Sequence, residues 1–139
     1  MWSTAASRTT SATPAAVYAV WADVAAWPDW DPSLLSATLD GPFAAGTTGT
    51  MHPDGAPGPL PFTLTEVLPG RGFTDETPFG DVLLRFVHEV VPDGAGALVT
   101  LRVEVEGPGA EDVGRMVTAD LPEALDALAA AAEGAVAAS

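Results

Sequence analysis

The middle of the chain, from residue 34 to residue 106, is a series of strand-like runs separated by short turns. Each run is rich in β-branched, aromatic and leucine residues, and Gly, Pro and Asp mark the breaks. The pattern predicts six strands, at 34–39, 47–52, 60–68, 72–77, 82–91 and 98–106. Because such short connections favour hairpins over crossovers, we expect an antiparallel meander.

The two ends of the chain add one strand and the helices. Residues 2–10 alternate Ser and Thr with small or apolar residues, which is typical of a strand. Thr13 followed by Pro14 predicts a helix over 14–23, and a second short helix over 24–27 is expected to end at Pro28. Residues 111–137 predict a long helix with one apolar face, kinked at Pro122. The expected fold class is α+β, in a single domain spanning 1–139.

Composition and charge exclude several classes of function. A net charge of −14 disfavours nucleic acid and acidic membranes as partners. No apolar run approaches the roughly 18 residues of a membrane span, and no signal peptide is recognisable, so we expect a cytoplasmic protein without membrane insertion. The absence of cysteine excludes disulfides, thiolate nucleophiles and thiolate metal sites. Neither a metal nor another cofactor is expected.

The last two strands can be placed in register from their own pattern. If the turn at 93–96 sets Val91 opposite Leu98, then His88 meets Leu101, and on the other face Arg85 meets Glu104. A slip of one residue would bury those charges. The same logic across the turn at 78–81 places Thr77 opposite Val82 and Phe73 opposite Phe86.

This register places two ionisable residues, Asp75 and His88, on an otherwise apolar inner face. In the preceding strand, Phe62 points inward, and strict alternation brings Glu66 with it unless a β-bulge substitutes Val67. Much of the inner face is Val, Leu and Ala, so a curved sheet under one long helix is expected to enclose a cavity. The proline-rich loop at 53–59 is a candidate rim.

The segment from Trp27 to Pro32, with two indoles on a proline-bounded turn, predicts the mouth of that cavity. Filling of the core is the alternative for these two indoles, and packing of a helix on the sheet is the simpler interpretation of Tyr18 and Trp21. The predicted ligand-binding residues are Tyr18, Trp27, Trp30, Met51, Phe62, Glu66, Phe73, Phe86, Leu101 and Met116.

The candidate catalytic residues are His88, as a general base, and Asp75, as the group that orients it. The alternative for His88 is a hydrogen-bonded core histidine. Asp75 and Glu66 are also a candidate acid/base pair, or a polar network that closes one end of the cavity. His52, His88 and an acid match no zinc motif.

Several motifs in this order resemble small bacterial polyketide cyclase/dehydrase-type proteins of the START-like, or Bet v 1-like, superfamily. The motifs are Trp27-x-x-Trp30-Asp31-Pro32, Gly41-Pro42-Phe43 to Gly46-Thr47, Glu66-Val67-Leu68-Pro69-Gly70-Arg71, Leu84-Arg85-Phe86 with His88, and Glu104-Val105-Glu106-Gly107-Pro108. The resemblance implies a helix-grip fold, in which a seven-stranded antiparallel sheet wraps around a long C-terminal helix and an apolar tunnel, with two short N-terminal helices.

The resemblance also implies the classes of function to be weighed. Aromatase/cyclases with this fold place an arginine and hydroxyl groups inside the cavity, whereas Arg85 and Arg102 point outward in the predicted register. We therefore expect a binder of a hydrophobic small molecule, polyketide-like or lipid-like, with cyclase or dehydratase activity as an open question. The alternatives are a lipid carrier and a non-catalytic protein-interaction module, and a homodimer is left open.

Overall fold

The computed structural model describes residues 1–138, with side chains described as far as Gly134. Within that range, seven antiparallel strands form one sheet in the order β1-β7-β6-β5-β4-β3-β2. The strands are β1 (Trp2–Thr10), β2 (Leu34–Leu39), β3 (Thr48–Pro53), β4 (Leu60–Leu68), β5 (Gly72–Phe79), β6 (Val82–Asp93) and β7 (Gly96–Glu106). The α+β class and the antiparallel meander are confirmed. Ser139, the last residue of the predicted domain, lies outside the described residues.

The first helices begin where the sequence places them, but Pro28 acts differently from its prediction. Helix α1 (Pro14–Ala22) is capped by Thr13, whose side-chain oxygen accepts a hydrogen bond from the backbone N–H of Ala16 at 3.2 Å. A 3₁₀ turn (Val24–Ala26) then leads into α2 (Trp27–Trp30). Pro28 lies in the first turn of α2, where its missing N–H costs no helical hydrogen bond, so the prediction that it ends a helix was wrong.

The C-terminal region holds two helices where one kinked helix was expected. Helix α3 (Ala110–Val117) ends at Thr118, whose hydroxyl donates to the carbonyl of Gly114 at 2.7 Å. Helix α4 (Leu121–Ala138) is the long helix, and Pro122 is its second residue. A proline at this position removes an N–H that has no intrahelical partner, so it fits the first turn of a helix and not its interior. The chain therefore breaks at 118–120 instead of bending at Pro122.

The register of the last hairpin is confirmed, and that of the hairpin before it is corrected. His88 pairs with Leu101 and Arg85 with Glu104, as the charge pattern predicted. Between β5 and β6, however, Phe73 pairs with His88, two residues from the predicted partner. The turn contains only two residues, and Gly80 adopts a φ of 58°, which suits a tight hairpin. Since the shift is two residues, every side chain keeps its predicted face.

The inward orientation predicted for Glu66 was wrong. The pairing of β4 with β5 shifts between Leu64 and Glu66, which marks a β-bulge at Thr65. The extra residue turns Glu66 to the exposed side and lets Val67 pack against the core instead.

Two clusters of buried apolar residues lie on the concave side of the sheet. The aromatic cluster packs under α1, α2 and α4 and contains Trp21, Trp27, Phe62 and Phe73. The aliphatic cluster lies under α3 and contains Val82, Leu84, Val103, Val105 and Ala110. Gly114 of α3 lies directly on the indole of Trp2, which brings α3 close to β1. A space remains between these two clusters.

Candidate ligand-binding site

A cavity of about 530 Å³ lies between the aromatic and aliphatic clusters, enclosed by the sheet and by α4. Its volume is within the range of small-molecule sites, roughly 300–1,000 Å³. Its wall is mainly apolar and includes Trp21, Trp27, Trp30, Leu34, Met51, Leu60, Phe73, Phe79, Leu84, Phe86, Val99, Leu101, Val103, Val117, Leu121, Leu125 and Leu128. The hollow expected from the small inner residues is therefore present.

The two tryptophans of α2 differ in how they are held. Trp27 is 7% exposed, stacks on Phe62 and Phe73, and donates its indole N–H to the carbonyl of Trp21 at 3.0 Å. Trp30 is half-buried, and its Nε1 has no hydrogen-bond partner among residues 1–138. Trp27 is thus a fixed part of the core that also borders the cavity, whereas Trp30 has an unused donor.

His88 is held in an aromatic sandwich on the wall. Its ring stacks on Phe73 with centroids 3.9 Å apart and meets the edge of Trp21 at 5.6 Å. Nδ1 lies 3.2 Å from the carbonyl oxygen of Phe73, which can only accept, so the neutral ring carries its proton on Nδ1. Nε2 is then the basic nitrogen. Burial lowers the pKa of His88 to about 4, and the carbonyls of Phe73 and Phe86 offset only part of this shift.

Asp75 is a buried acid with an unsatisfied oxygen. It is 4% exposed, borders the cavity, and its Oδ1 has no hydrogen-bond partner within the described part of the chain. Burial is the main cause that raises its pKa to about 7, and the neighbouring charge of Glu76 acts in the same direction. Below neutral pH the carboxyl is therefore mostly protonated and can donate a hydrogen bond.

Asp75 and His88 are neighbours without being the orienting pair that the sequence predicted. Oδ1 of Asp75 lies 3.9 Å from Nδ1 of His88, beyond hydrogen-bonding distance. The carbonyl oxygen of Phe73, and not the carboxyl of Asp75, accepts the hydrogen bond from Nδ1 of His88. Between about pH 4 and pH 7 both side chains are mostly uncharged, so the pair is a neutral acid beside a neutral base.

Most of the predicted ligand-binding residues border the cavity, but three do not. Trp27, Trp30, Met51, Phe73, Phe86, Leu101 and Met116 lie on its wall, together with Asp75 and His88. Tyr18 packs edge-on against Phe43, which agrees with the helix-packing alternative. Phe62 is fully buried behind Trp27, and Glu66 faces outward beside a smaller pocket of about 280 Å³. Their ligand contacts are therefore not supported by this geometry.

Sequence reasoning missed two groups of wall residues. Trp21 was left out of the predicted ligand-binding residues because packing was the simpler interpretation, yet it belongs to the core and also borders the cavity. Leu121, Leu125 and Leu128 project from α4, and their spacing of four and three residues is a signal that could have found them.

The exposed members of the wall mark the opening. They come from the predicted rim loop, through Asp54, Gly55 and Pro57, and from the end of α3 and the break that follows it, through Met116 and Asp120. The opening therefore lies between the proline-rich loop at 53–59 and the connection from α3 to α4, which is followed by Pro122. Asp31 is close to it and accepts hydrogen bonds from the backbone N–H and the hydroxyl of Ser33 at 2.9 and 2.6 Å.

The described residues offer little to a metal ion. Residues 1–138 contain no group of three His, Cys, Asp or Glu side chains placed to hold one. His52 instead lies with Nε2 3.1 Å from the carbonyl of Ala56 in the rim loop. None of the described helices is long and apolar enough to span a membrane.

Comparison with known proteins identifies the family. A family model described as polyketide cyclase/dehydrase and lipid transport matches residues 1–133, almost the whole chain. The chain belongs to this family. No curated protein matches this family member closely enough to be called a relative.

Solved structures share the fold of this polyketide cyclase/dehydrase family member at low sequence identity. The di-domain ARO/CYC StfQ from the steffimycin biosynthetic pathway has a TM-score of 0.79 at 13% identity, covering 97% of this chain and 51% of that one. Norcoclaurine synthase from Thalictrum flavum, in complex with dopamine and hydroxybenzaldehyde, gives 0.72 at 16% identity over 92% and 84%. A Thermobifida fusca protein gives 0.73 at 23% identity over 93% and 91%. These likenesses confirm the helix-grip fold.

Proposed function

We propose that this protein binds a hydrophobic small molecule, polyketide-like or lipid-like, in the cavity between its two core clusters. The observation that carries the proposal is an apolar hollow of about 530 Å³ that is lined by Trp30 and opens between the rim loop and Met116. An unfilled volume of this size forfeits packing that a ligand can supply. The indole of Trp30 offers flat apolar area together with an unused N–H donor.

The family and the structural neighbours support the same proposal. The family description includes both cyclase chemistry and lipid transport. Norcoclaurine synthase, which shares the fold, was solved with two small aromatic molecules, and StfQ is an ARO/CYC of a biosynthetic pathway. Aromatic or polycyclic ligands are therefore the first class to test.

The test is displacement of a neutral apolar dye, N-phenyl-1-naphthylamine, combined with native mass spectrometry of the purified protein. We expect saturable dye binding that is lost or weakened about tenfold in Leu101→Trp, because the new indole fills part of the cavity. Leu35→Trp is the matched control, since Leu35 is exposed on β2 and does not border the cavity. Equal binding by both variants would place the dye elsewhere and contradict the proposal.

Acid–base catalysis on a carbonyl ligand is a second candidate function, favoured by one observation. Below neutral pH, a neutral histidine and a largely protonated carboxyl lie 3.9 Å apart on the wall of a mainly apolar cavity. Nε2 of His88 is suited to accept a proton from the carbon next to a carbonyl, and Asp75 is suited to donate to the carbonyl oxygen.

Deuterium exchange at the carbon next to the carbonyl of 1-tetralone, followed by NMR, tests this second candidate. Exchange above the buffer rate in the wild type, lost in His88→Phe with dye binding retained, is the expected result. Phe keeps the aromatic stack on Phe73 but removes both ring nitrogens, the basic Nε2 and the Nδ1–H that bonds to the Phe73 carbonyl, so retained dye binding is the check that the cavity is intact. Exchange at the buffer rate in the wild type would leave binding as the function.

A further inference from the structure

Apart from His88, the ionisable groups on the described cavity wall are all carboxyl groups. The described wall contains four carboxyl groups, those of Asp31, Asp54, Asp75 and Asp120, and no arginine. The chain has no lysine at all. A ligand that enters the cavity therefore meets acids near the opening and a further acid inside.

All five arginines lie off the wall, and four of them are paired with acids elsewhere. The pairs are Arg8 with Asp126 at 3.1 Å, Arg85 with Glu76 at 2.7 Å, Arg102 with Glu104 at 3.3 Å and Arg115 with Glu111 at 2.9 Å. Arg71 is exposed in the turn between β4 and β5 and borders the smaller pocket. None of these guanidinium groups borders the cavity.

His88 does not supply the missing positive charge. Its ring is enclosed by Phe73 and Trp21, and burial keeps its pKa well below neutral. A carboxylate inside the cavity would therefore lose its hydration without gaining a cation, which is among the most unfavourable transfers in protein chemistry.

Asp75, by contrast, calls for an uncharged hydrogen-bonding partner. Its Oδ1 lacks a partner among residues 1–138 although the residue is 96% buried, and buried polar groups are nearly always hydrogen-bonded. A ligand carbonyl or hydroxyl can supply the missing hydrogen bond, and so offset the free-energy cost of burying an unpaired oxygen.

We propose that the cavity selects uncharged apolar molecules that carry a carbonyl or hydroxyl group, that Asp75 holds this group, and that the acidic wall rejects carboxylates. The inference rests on the proposed binding function and names its ligand class. It excludes free fatty acids and polyketide acids as ligands, and admits their ketone, aldehyde, alcohol and phenol counterparts.

The experiment compares three compounds that share one ring system: 2-acetylnaphthalene, 2-ethylnaphthalene and 2-naphthoate. Each competes with N-phenyl-1-naphthylamine for the full-length protein at pH 6. The ketone should bind at least about tenfold more tightly than the carboxylate. In Asp75→Leu, the affinity ratio of ketone to hydrocarbon should fall about tenfold, while Asp75→Asn, which keeps a donor and an acceptor, should retain most of that ratio.

A second variant tests the charge argument at an exposed position. Met116→Arg places a cation at the opening, where the side chain is 59% exposed, and should raise the affinity for 2-naphthoate several-fold, less so at high salt. Leu35→Arg, at a similarly exposed position off the cavity, is the matched control and should leave that affinity unchanged.

The outcomes separate the inference from the proposed function. If none of the three compounds displaces the dye, the binding function and the inference fail together. If all three bind and the carboxylate binds as tightly as the ketone, the binding function stands and the inference is overturned. An unchanged ratio of ketone to hydrocarbon in Asp75→Leu overturns the role of Asp75.

Discussion

The two ends of the sheet's inner face are covered by side chains of different size. At one end, Trp21, Trp27, Phe62 and Phe73 contact one another and fill the space under α1 and α2. Towards the other, Val and Leu side chains cover the sheet but do not reach across to α4, and a cavity remains. The aromatic side chains fill one end, and a cavity remains where the side chains are smaller.

Trp27 and Trp30 show what this difference means for individual residues. They belong to the same short helix, yet the Trp27 N–H bonds to the Trp21 carbonyl and the Trp30 N–H has no partner among the described residues. A satisfied, stacked indole stabilises the fold, whereas an unsatisfied indole beside a cavity is available to a ligand.

The largest expected effect is the loss of stability when an indole is removed from the aromatic cluster. Trp27→Ala should lower the free energy of unfolding by about 3–5 kcal/mol, because it removes a buried indole that stacks on two phenyl rings. Trp30→Ala should cost about 1 kcal/mol or less, since the side chain is only half-buried, but should weaken dye binding. Urea denaturation measures both. Equal destabilisation would show that the two indoles have the same role.

The next effect concerns pH and the Asp75–His88 pair. Asp75 has a folded-state pKa of about 7, above its ordinary 3.8, so its contribution to stability falls as pH rises from about 4 to 7. His88 has a folded-state pKa of about 4, below its ordinary 6.5, so its contribution rises with pH over the same interval. In the wild type these two dependences largely cancel.

Single variants should reveal each dependence separately. Relative to the wild type, Asp75→Asn should gain stability as pH rises from 4.5 to 6.5, and His88→Phe should lose it, by up to about 1.4 kcal/mol per pH unit. Urea denaturation at three pH values provides the measurement, and the other acids of the chain are common to all three proteins. Parallel curves would mean that neither group is perturbed by burial.

A smaller effect compares the same substitution in the filled and hollow regions. Leu64→Trp should destabilise the fold by about 2–3 kcal/mol, because Leu64 is fully buried in the aromatic cluster and does not border the cavity. Leu101→Trp should change stability by less than about 1 kcal/mol, because the cavity receives the extra atoms. Thermal unfolding distinguishes them, and a large loss for Leu101→Trp would indicate that the cavity does not accept volume.

The smallest effect concerns the opening. Saturating 2-acetylnaphthalene should slow amide exchange several-fold at Asp54, Gly55 and Ala56 in the rim loop, and at 118–121 between α3 and α4, because both segments border the cavity. Amides of β7 that face β1 serve as the internal control, since these two strands pair without a register shift from Trp2–Val105 to Thr10–Ala97. Uniform protection across the chain would argue against an opening at these segments.

The sequence allowed prediction of what depends on local alternation and charge. The pairing of Arg85 with Glu104 fixed the register of the last hairpin, and the Thr13-Pro14 pair fixed the start of α1. The two-residue loop at Gly80 escaped prediction, because the turn residues at 78–81 are compatible with more than one loop length, and the bulge at Thr65 was predicted only as the alternative to strict alternation.

The sequence predicted which residues lie on the inner face of the sheet, but not which of them border the cavity. Asp75 and His88 lie on one wall as expected, yet the carbonyl that orients His88 belongs to Phe73, and backbone partners of this kind leave no mark in the sequence. The alternation rule placed Phe62 correctly on the inner face, but depth behind Trp27 comes from tertiary packing.

Gly49, on β3, helps to set the position of the Phe62 ring. A Cβ on Gly49 would lie 2.5 Å from Cζ of Phe62 and 2.5 Å from the carbonyl oxygen of Thr38, so the phenyl ring sits where a methyl group would be. Any larger residue at position 49 must push the ring towards Trp27, and from there towards the hollow. The volume of the cavity therefore depends in part on the absence of a side chain at position 49. That residue does not border the cavity, so a ligand does not contact it.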